Sequence, residues 1–169
     1  PTALAILTAC AEACAGEILL LGRDADRARA VLDGWEAHGV AGSRAGACRI
    51  EASGYGDAAE RIGRADLVVN ATPLGMNAGD PAPFDGALLR AGQWAFDCVY
   101  GHGATAFTDA ARAAGCRVYD GAGMLVGQAV ETVRIVARAA GAEVAIDDDA
   151  LFEIMADAAG FDLSHRSEE

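Results

Sequence analysis

Lysine is missing altogether. All 13 basic residues are arginine, set against 25 acidic ones, and the net charge over 169 residues is −12. Arginine is the better fork for phosphate, but with a pKa above about 12 it is a poor proton shuttle near neutral pH. No basic stripe relieves the acidic balance, so neither nucleic acid nor an anionic membrane is expected as a partner. No apolar run approaches the roughly 20 residues that span a bilayer, and no signal peptide pattern is present. The five cysteines, Cys10, Cys14, Cys48, Cys98 and Cys116, are odd in number and show no C-x-x-C spacing, which argues against a disulfide framework or a zinc site. Cys10 and Cys14 lie one helical turn apart among alanines and read as small apolar residues of a helix face, with no metal expected. A reducing, cytoplasmic setting follows as the expectation. His38, His102 and His165 are scattered singly, and no hydrolytic triad or Walker loop occurs.

What is present is apolar and alternating. At 53% hydrophobic, residues 1–169 read as one domain with a core of its own. Thr2 to Ala15, Asp24 to about Ala37, Asp57 to Ile62, Thr105 to Ala114 and Met124 to Ala140 read as helices, with a final one opened by Asp147-Asp148-Asp149 and ending near Gly160. Glu17 to Leu21, Cys48 to Glu51, Leu67 to Asn70, Trp94 to Val99 and Arg117 to Tyr119 read as strands. Gly39 to Gly46 and Gly75 to Gly86 are loops, and Leu88 and Leu89 belong to a brief helical turn. Helices alternating with strands predict a parallel sheet.

The most telling stretch is Asp66-Leu-Val-Val-Asn-Ala-Thr-Pro-Leu-Gly-Met76. Leu67, Val68 and Val69 form the short apolar run of a parallel strand covered on both faces, and Asn70 and Thr72 place an amide and a hydroxyl just beyond it. Open α/β sheets bind ligands at such carboxyl ends. Downstream, Asp120-Gly-Ala-Gly-Met-Leu-Val-Gly-Gln128 opens the longest helix, with Met124 and Gln128 one turn apart on the same side.

The fold class expected is α/β, a Rossmann-type doubly wound parallel sheet, with a notable gap. Such folds begin with a strand, a G-x-G-x-x-G turn and a helix whose amino end holds the pyrophosphate. Here Pro1 leads straight into what reads as that helix, so the first strand and the glycine turn are expected to be missing and the chain to be a fragment of a longer polypeptide. In the strand order 3-2-1-4-5-6 the missing strand separates Glu17–Leu21 from Leu67–Asn70, which should therefore not pair with each other.

Together these motifs resemble the cofactor-binding half of shikimate dehydrogenases, over residues 1 to about 160. Asn70-Ala-Thr-Pro-Leu-Gly-Met76 is similar to the family's N-A-T-x-x-G-M loop, which implies that Ala71, Thr72 and Pro73 line the cofactor. Asp97-Cys-Val-Tyr100 with Thr105 is similar to its D-x-x-Y…T segment, which implies that Cys98 lies beside the nicotinamide and that Tyr100 reaches substrate. Gly121 and Met124 match cofactor-contacting positions, and Gln128 matches a glutamine that hydrogen-bonds a substrate hydroxyl. Three motifs in this order are far more specific than any one of them.

Cofactor choice turns on Leu21-Gly-Arg-Asp-Ala-Asp-Arg27. An acidic residue after the second strand accepts hydrogen bonds from the ribose hydroxyls of NAD, whereas arginine pairs with the 2′-phosphate of NADP. The resemblance implies that Arg23 and Arg27 clamp that phosphate, as in the family's N-R-[ST]-x-x-R; Gly22 and Asp24 depart from that pattern. NADP is the expected cofactor, with NAD possible through Asp24 unless Asp24 caps the following helix. The implied reaction is reversible, NADP-dependent reduction of 3-dehydroshikimate to shikimate, a small ring acid. Proton transfer in that family uses a lysine and a neighbouring aspartate of an amino-terminal substrate domain, so no catalytic residue is expected within this chain and the fragment alone is expected to be inactive. An NAD-dependent dehydrogenase of quinate or a related ring acid, and a nucleotide-binding module without chemistry, remain open on the residues alone.

Overall fold

The computed structural model describes residues 2–13, 15–37 and 48–162. Short β-branched and leucine-rich runs form the strands, and alanine-rich stretches between them form helices, in the order α1 (Thr2–Glu12), β1 (Glu17–Gly22), α2 (Ala25–Ala37), β2 (Arg49–Gly54), α3 (Ala59–Arg64), β3 (Leu67–Asn70), β4 (Trp94–Asp97), α4 (Ala106–Ala113), β5 (Arg117–Tyr119), α5 (Ala122–Ala139) and α6 (Asp148–Ala158). Single 3-10 turns occupy Tyr55–Asp57 and Gly86–Leu88. The strands make two parallel ladders, β1 with β2 and β3-β4-β5. The architecture is the expected α/β one. Among the described residues β1 and β3 do not pair, as their order in a doubly wound sheet requires.

Three clusters hold these elements. Leu7 and Ala11 of α1 pack with Ala28, Leu32 and Trp35 of α2 over Ile18, Leu20 and Ile50 of the first ladder. The Trp35 indole donates to the Thr8 hydroxyl at 2.9 Å, tying the two helices. Ala58, Ile62, Phe107 and Ala111 cover Val68 and Ala95 of the second ladder, and Leu19 and Leu21 of β1 pack into the same cluster. Side chains of α3 thus bridge the two ladders. Val126 and Val130 of α5 meet Phe152 and Ala156 of α6 in a separate helical hairpin. Arg134 closes that hairpin by donating to the carbonyls of Val144 and Ile146 and pairing with Asp148.

Several boundaries differ from the expectation for local reasons. β2 runs on to Gly54 because Leu20, Leu21 and Gly22 pair in register with Ala52, Ser53 and Gly54, pulling weak strand formers into the ladder. Asp57 belongs to the 3-10 turn, and α3 starts at Ala59. The glycine-rich loop of Gly39 to Gly46, like Cys14, lies outside the described residues. The expected cover on both faces of Leu67–Val69 holds for one face only. Val68 is 9% exposed, whereas Leu67 is 46% exposed. Pairing places Leu67, Trp94 and Arg117 in one row and Val69, Phe96 and Tyr119 in the next. On this half-open face Trp94 stacks on Tyr119 at 5.4 Å, with the Arg117 guanidinium 4.9 Å above Trp94.

Candidate functional site

The last residues of β3 and β4 point polar groups into the core. Asn70 is 1% and Asp97 0% exposed, burial that polar groups tolerate only when fully hydrogen-bonded. They bond each other: the Asn70 amide donates to Asp97 Oδ1 at 3.0 Å and to the Leu74 carbonyl at 3.1 Å. Asn70 Oδ1 accepts from the Thr72 hydroxyl at 2.7 Å and the Thr72 amide at 3.1 Å, and Thr72 Oγ1 accepts in turn from the Leu74 amide. The polar residues after the strand therefore fold back on one buried asparagine. Gly75 follows at φ +107°, and a Cβ there would sit 2.7 Å from the Thr105 methyl, so glycine is required on both counts. Asp80 fixes the far side of the loop by accepting from the Gly75 and Asn77 amides, each at 3.0 Å. Those bonds hold its carboxyl below the usual aspartate range.

Asp97 also anchors the next loop. Its Oδ1 accepts from the Val99 amide at 3.1 Å and its Oδ2 from the Thr105 hydroxyl at 2.6 Å. Thr105 caps α4 in a capping box with Thr108, so one hydroxyl ties the helix start to the strand end. The Cys98 amide donates to the Asn70 carbonyl at 2.9 Å, joining the loop to β3. The Cys98 thiol is half-buried and pushed up to about 11, by desolvation first and then by the charge of Asp97. Such a thiol stays protonated and is not a nucleophile at neutral pH.

The start of α5 closes the third side. The Gly121 amide donates to the Val99 carbonyl at 3.2 Å, and a Cβ on Gly121 would lie 2.3 Å from the Cys98 carbonyl oxygen. Only glycine permits that approach. Tyr100 lies beside Gly121, 39% exposed, with its ring edge-on to Phe161 at 6.4 Å. Met124 is half-buried and Gln128, one turn on, is exposed. Ala71, Thr72, Pro73, Cys98, Tyr100, Gly121, Met124 and Gln128 thus fall on three segments joined by hydrogen bonds.

The remaining expected residues sit apart, at the end of β1. Arg23, Asp24 and Arg27 are all exposed, and no ion pair among the described residues engages either arginine. Asp24 Oδ1 accepts from the Arg27 amide at 3.1 Å, so Asp24 does cap α2. One residue here escaped sequence reading. Gly22 pairs with Gly54, which sets Tyr55 across from Arg23; burial raises the Tyr55 hydroxyl pKa and the Arg23 charge opposes the rise. An aromatic at a strand's carboxyl end was the available signal. Among the described residues no helix is long and apolar enough to cross a membrane, and no group of three or more His, Cys, Asp or Glu is placed to hold a metal ion.

Comparison with known proteins finds relatives for this chain. A shikimate dehydrogenase (NADP(+)) of Rubrobacter xylanophilus is 47% identical over 87 residues, covering 51% of this chain and 31% of that protein. One of Bordetella avium is 38% identical over 128 residues, covering 75% of this chain and 42% of its own length. The chain is a homologue of the shikimate dehydrogenases. No family model matches it. In three dimensions it superposes on the quinate dehydrogenase from Corynebacterium glutamicum in complex with NAD with a TM-score of 0.69 at 30% identity, over 89% of this chain and 49% of that one. The chain spans less than half the length of each of these relatives.

Proposed function

We propose that residues 1–169 form the cofactor side of an NADP-dependent shikimate dehydrogenase, which interconverts 3-dehydroshikimate and shikimate. One observation carries the reading: three segments after β3, β4 and β5 converge at the strands' carboxyl ends on the buried Asn70–Asp97–Thr105 network. The residues fit the two ends of a dinucleotide. Arg23 and Arg27, uncommitted among the described residues, suit the 2′-phosphate, and Ala71, Thr72, Pro73, Cys98, Gly121 and Met124 form the nicotinamide end. They do not supply a seat for the pyrophosphate, since no G-x-G-x-x-G turn occurs in the chain. When bound, the reduced nicotinamide would supply the hydride for reduction and the oxidised one would accept it in the reverse direction. Tyr100 and Gln128 orient the ring acid against it, while the neutral Cys98 thiol lines the site without reacting.

The lysine that the family uses for the proton accompanying the hydride has no counterpart here, because the chain has no lysine, and the Cys98 thiol stays protonated. A substrate domain bearing a lysine and an aspartate is the partner this reading requires. Two assays test it. The protein carrying both domains should oxidise shikimate with NADP. Residues 1–169 alone should not do so, and should bind NADP no tighter than about millimolar. Shikimate oxidation by the isolated chain, or micromolar NADP binding by calorimetry, overturns it.

A second reading, an NAD-dependent quinate/shikimate dehydrogenase, is favoured by Asp24 at the ribose position and by the NAD complex of the quinate dehydrogenase relative. Cap geometry weakens it, because the helix already uses the Asp24 carboxylate. Kinetics with both cofactors side by side decide between them.

A further inference from the structure

Asp97 has no assigned part in the reaction, yet it is the most fully buried ionisable side chain of the site, at 0% exposure. None of the ion pairs among the described residues reaches it. Three neutral donors satisfy it instead: Asn70 Nδ2 at 3.0 Å, the Val99 amide at 3.1 Å and the Thr105 hydroxyl at 2.6 Å. Each belongs to a different segment: the end of β3, the loop after β4 and the start of α4. Two of the links continue outward. Asn70 Oδ1 holds the Thr72 amide and hydroxyl, and the Val99 carbonyl holds the Gly121 amide at the start of α5. A desolvated carboxylate without a cation is costly. An apolar side chain would fill the space at less cost, but it would leave the three donors unsatisfied and the segments free to slide.

We infer that Asp97 is a positioning residue for hydride transfer: it fixes the spacing between the Thr72 loop and the Tyr100 loop, and so between nicotinamide and ring acid. The inference rests on the reading under Proposed function and names no contact of Asp97 with either ligand. A displacement of about 1 Å at a reacting centre lowers rates by about 100-fold. Asp97 reaches the Thr72 loop through Asn70 and holds the segment after β4 through the Val99 amide at its start and the Thr105 hydroxyl at its end, so removing the Asn70 or the Thr105 bond loosens the same constraint.

The test uses the enzyme carrying both domains. Thr105→Val removes the hydroxyl at nearly constant shape, and Asn70→Ala disconnects the other loop. Each should lower kcat by about 100-fold. Affinity for adenosine 2′,5′-bisphosphate, which probes only the Arg23 and Arg27 end, should stay within about twofold. Because both act through one carboxylate, the double variant should lose no more than about threefold beyond either single variant. Thr105→Ser, which keeps the hydroxyl, should recover kcat to within about threefold of wild type. If Thr105→Val fails to fold for want of its helix cap, Asp97→Asn, which leaves that cap intact, is read by the same two measurements. Single variants with wild-type kcat, losses that multiply in the double variant, a parallel loss of bisphosphate affinity, or no recovery by serine each overturn the inference. A wild-type enzyme that does not oxidise shikimate overturns the underlying reading, and the inference falls with it.

Discussion

The two ladders carry their polar residues in opposite ways. After β3 and β4 the polar groups are buried and bonded to one another, with Asn70 and Asp97 at 1% and 0% exposure. After β1 they are exposed: Arg23, Asp24 and Arg27 all face solvent. The contrast suits the roles proposed above for the two ends. Orienting a reacting ring needs groups that cannot move, and buried networks provide that. Gripping a phosphate dianion needs only charge within reach, which a flexible surface arginine supplies. The rigid end is vulnerable to steric change and the exposed end to loss of charge.

Substituting Gly121 should break the comparison most severely, because a methyl there collides with the Cys98 backbone rather than with a side chain that can turn away. Gly121→Ala is expected to lose about 3 kcal/mol of stability in urea unfolding. The neighbouring Gly123, with no atom within 4 Å of a built Cβ, is the control, and Gly123→Ala should be neutral or slightly stabilising. At the exposed end the fold should be unaffected and the cofactor preference should move. Arg23→Ala is expected to raise KM for NADP by about 10- to 100-fold and to leave KM for NAD nearly unchanged. Equal effects on the two cofactors would remove Arg23 from phosphate recognition. Gln128 tests where the rigid end stops, since it is exposed although its neighbours are packed. Gln128→Ala should lower kcat/KM for the ring acid by about 30-fold with cofactor affinity intact, and unchanged substrate kinetics would leave it a solvated helix residue.

The smallest effect belongs to Asp80, which secures the edge of the rigid loop from the solvent side. Its folded pKa is depressed by the Asn77 and Gly75 amides, so the ionised form favours the fold. That stability is complete above the unfolded pKa near about 3.9 and is lost as pH falls through the lower folded value. Unfolding followed against pH should therefore show wild type and Asp80→Asn separated by a constant amount above about pH 5 and converging below about pH 4. A separation that persists into acid would assign the effect to shape rather than charge.

The sequence was legible wherever a local pattern decides the outcome. β3 falls on Leu67–Asn70 because an apolar run ends sharply in an amide, and α6 begins at its acidic cap, where Asp147 accepts from the Ala150 amide. The three motifs, two of them glycine-bearing, were likewise visible as spaced residue types. What sequence hid was pairing. Ala52, Ser53 and Gly54 have little strand preference of their own and become strand through β1. Asp97 looked like one letter of a motif, and its three donors come from segments up to 27 residues away. Tyr55 became adjacent to Arg23 only once Gly22 met Gly54. The opening of one face at Leu67 depends on which helices cover the sheet, and no strand pattern encodes that.

That no ladder joins β1 to β3 among the described residues bears on cooperativity. Backbone ladders transmit unfolding from strand to strand, and among the described residues none crosses from one sheet to the other. The two halves communicate through side chains, chiefly Leu19 and Leu21 of β1 resting on the cluster around Ile62. Amide hydrogen exchange should then resolve two opening units, the β1–β2 half loosening at a lower free energy than the half locked around Asp97. The end proposed for the cofactor's phosphate would thus breathe while the end proposed for its reactive ring stays shut.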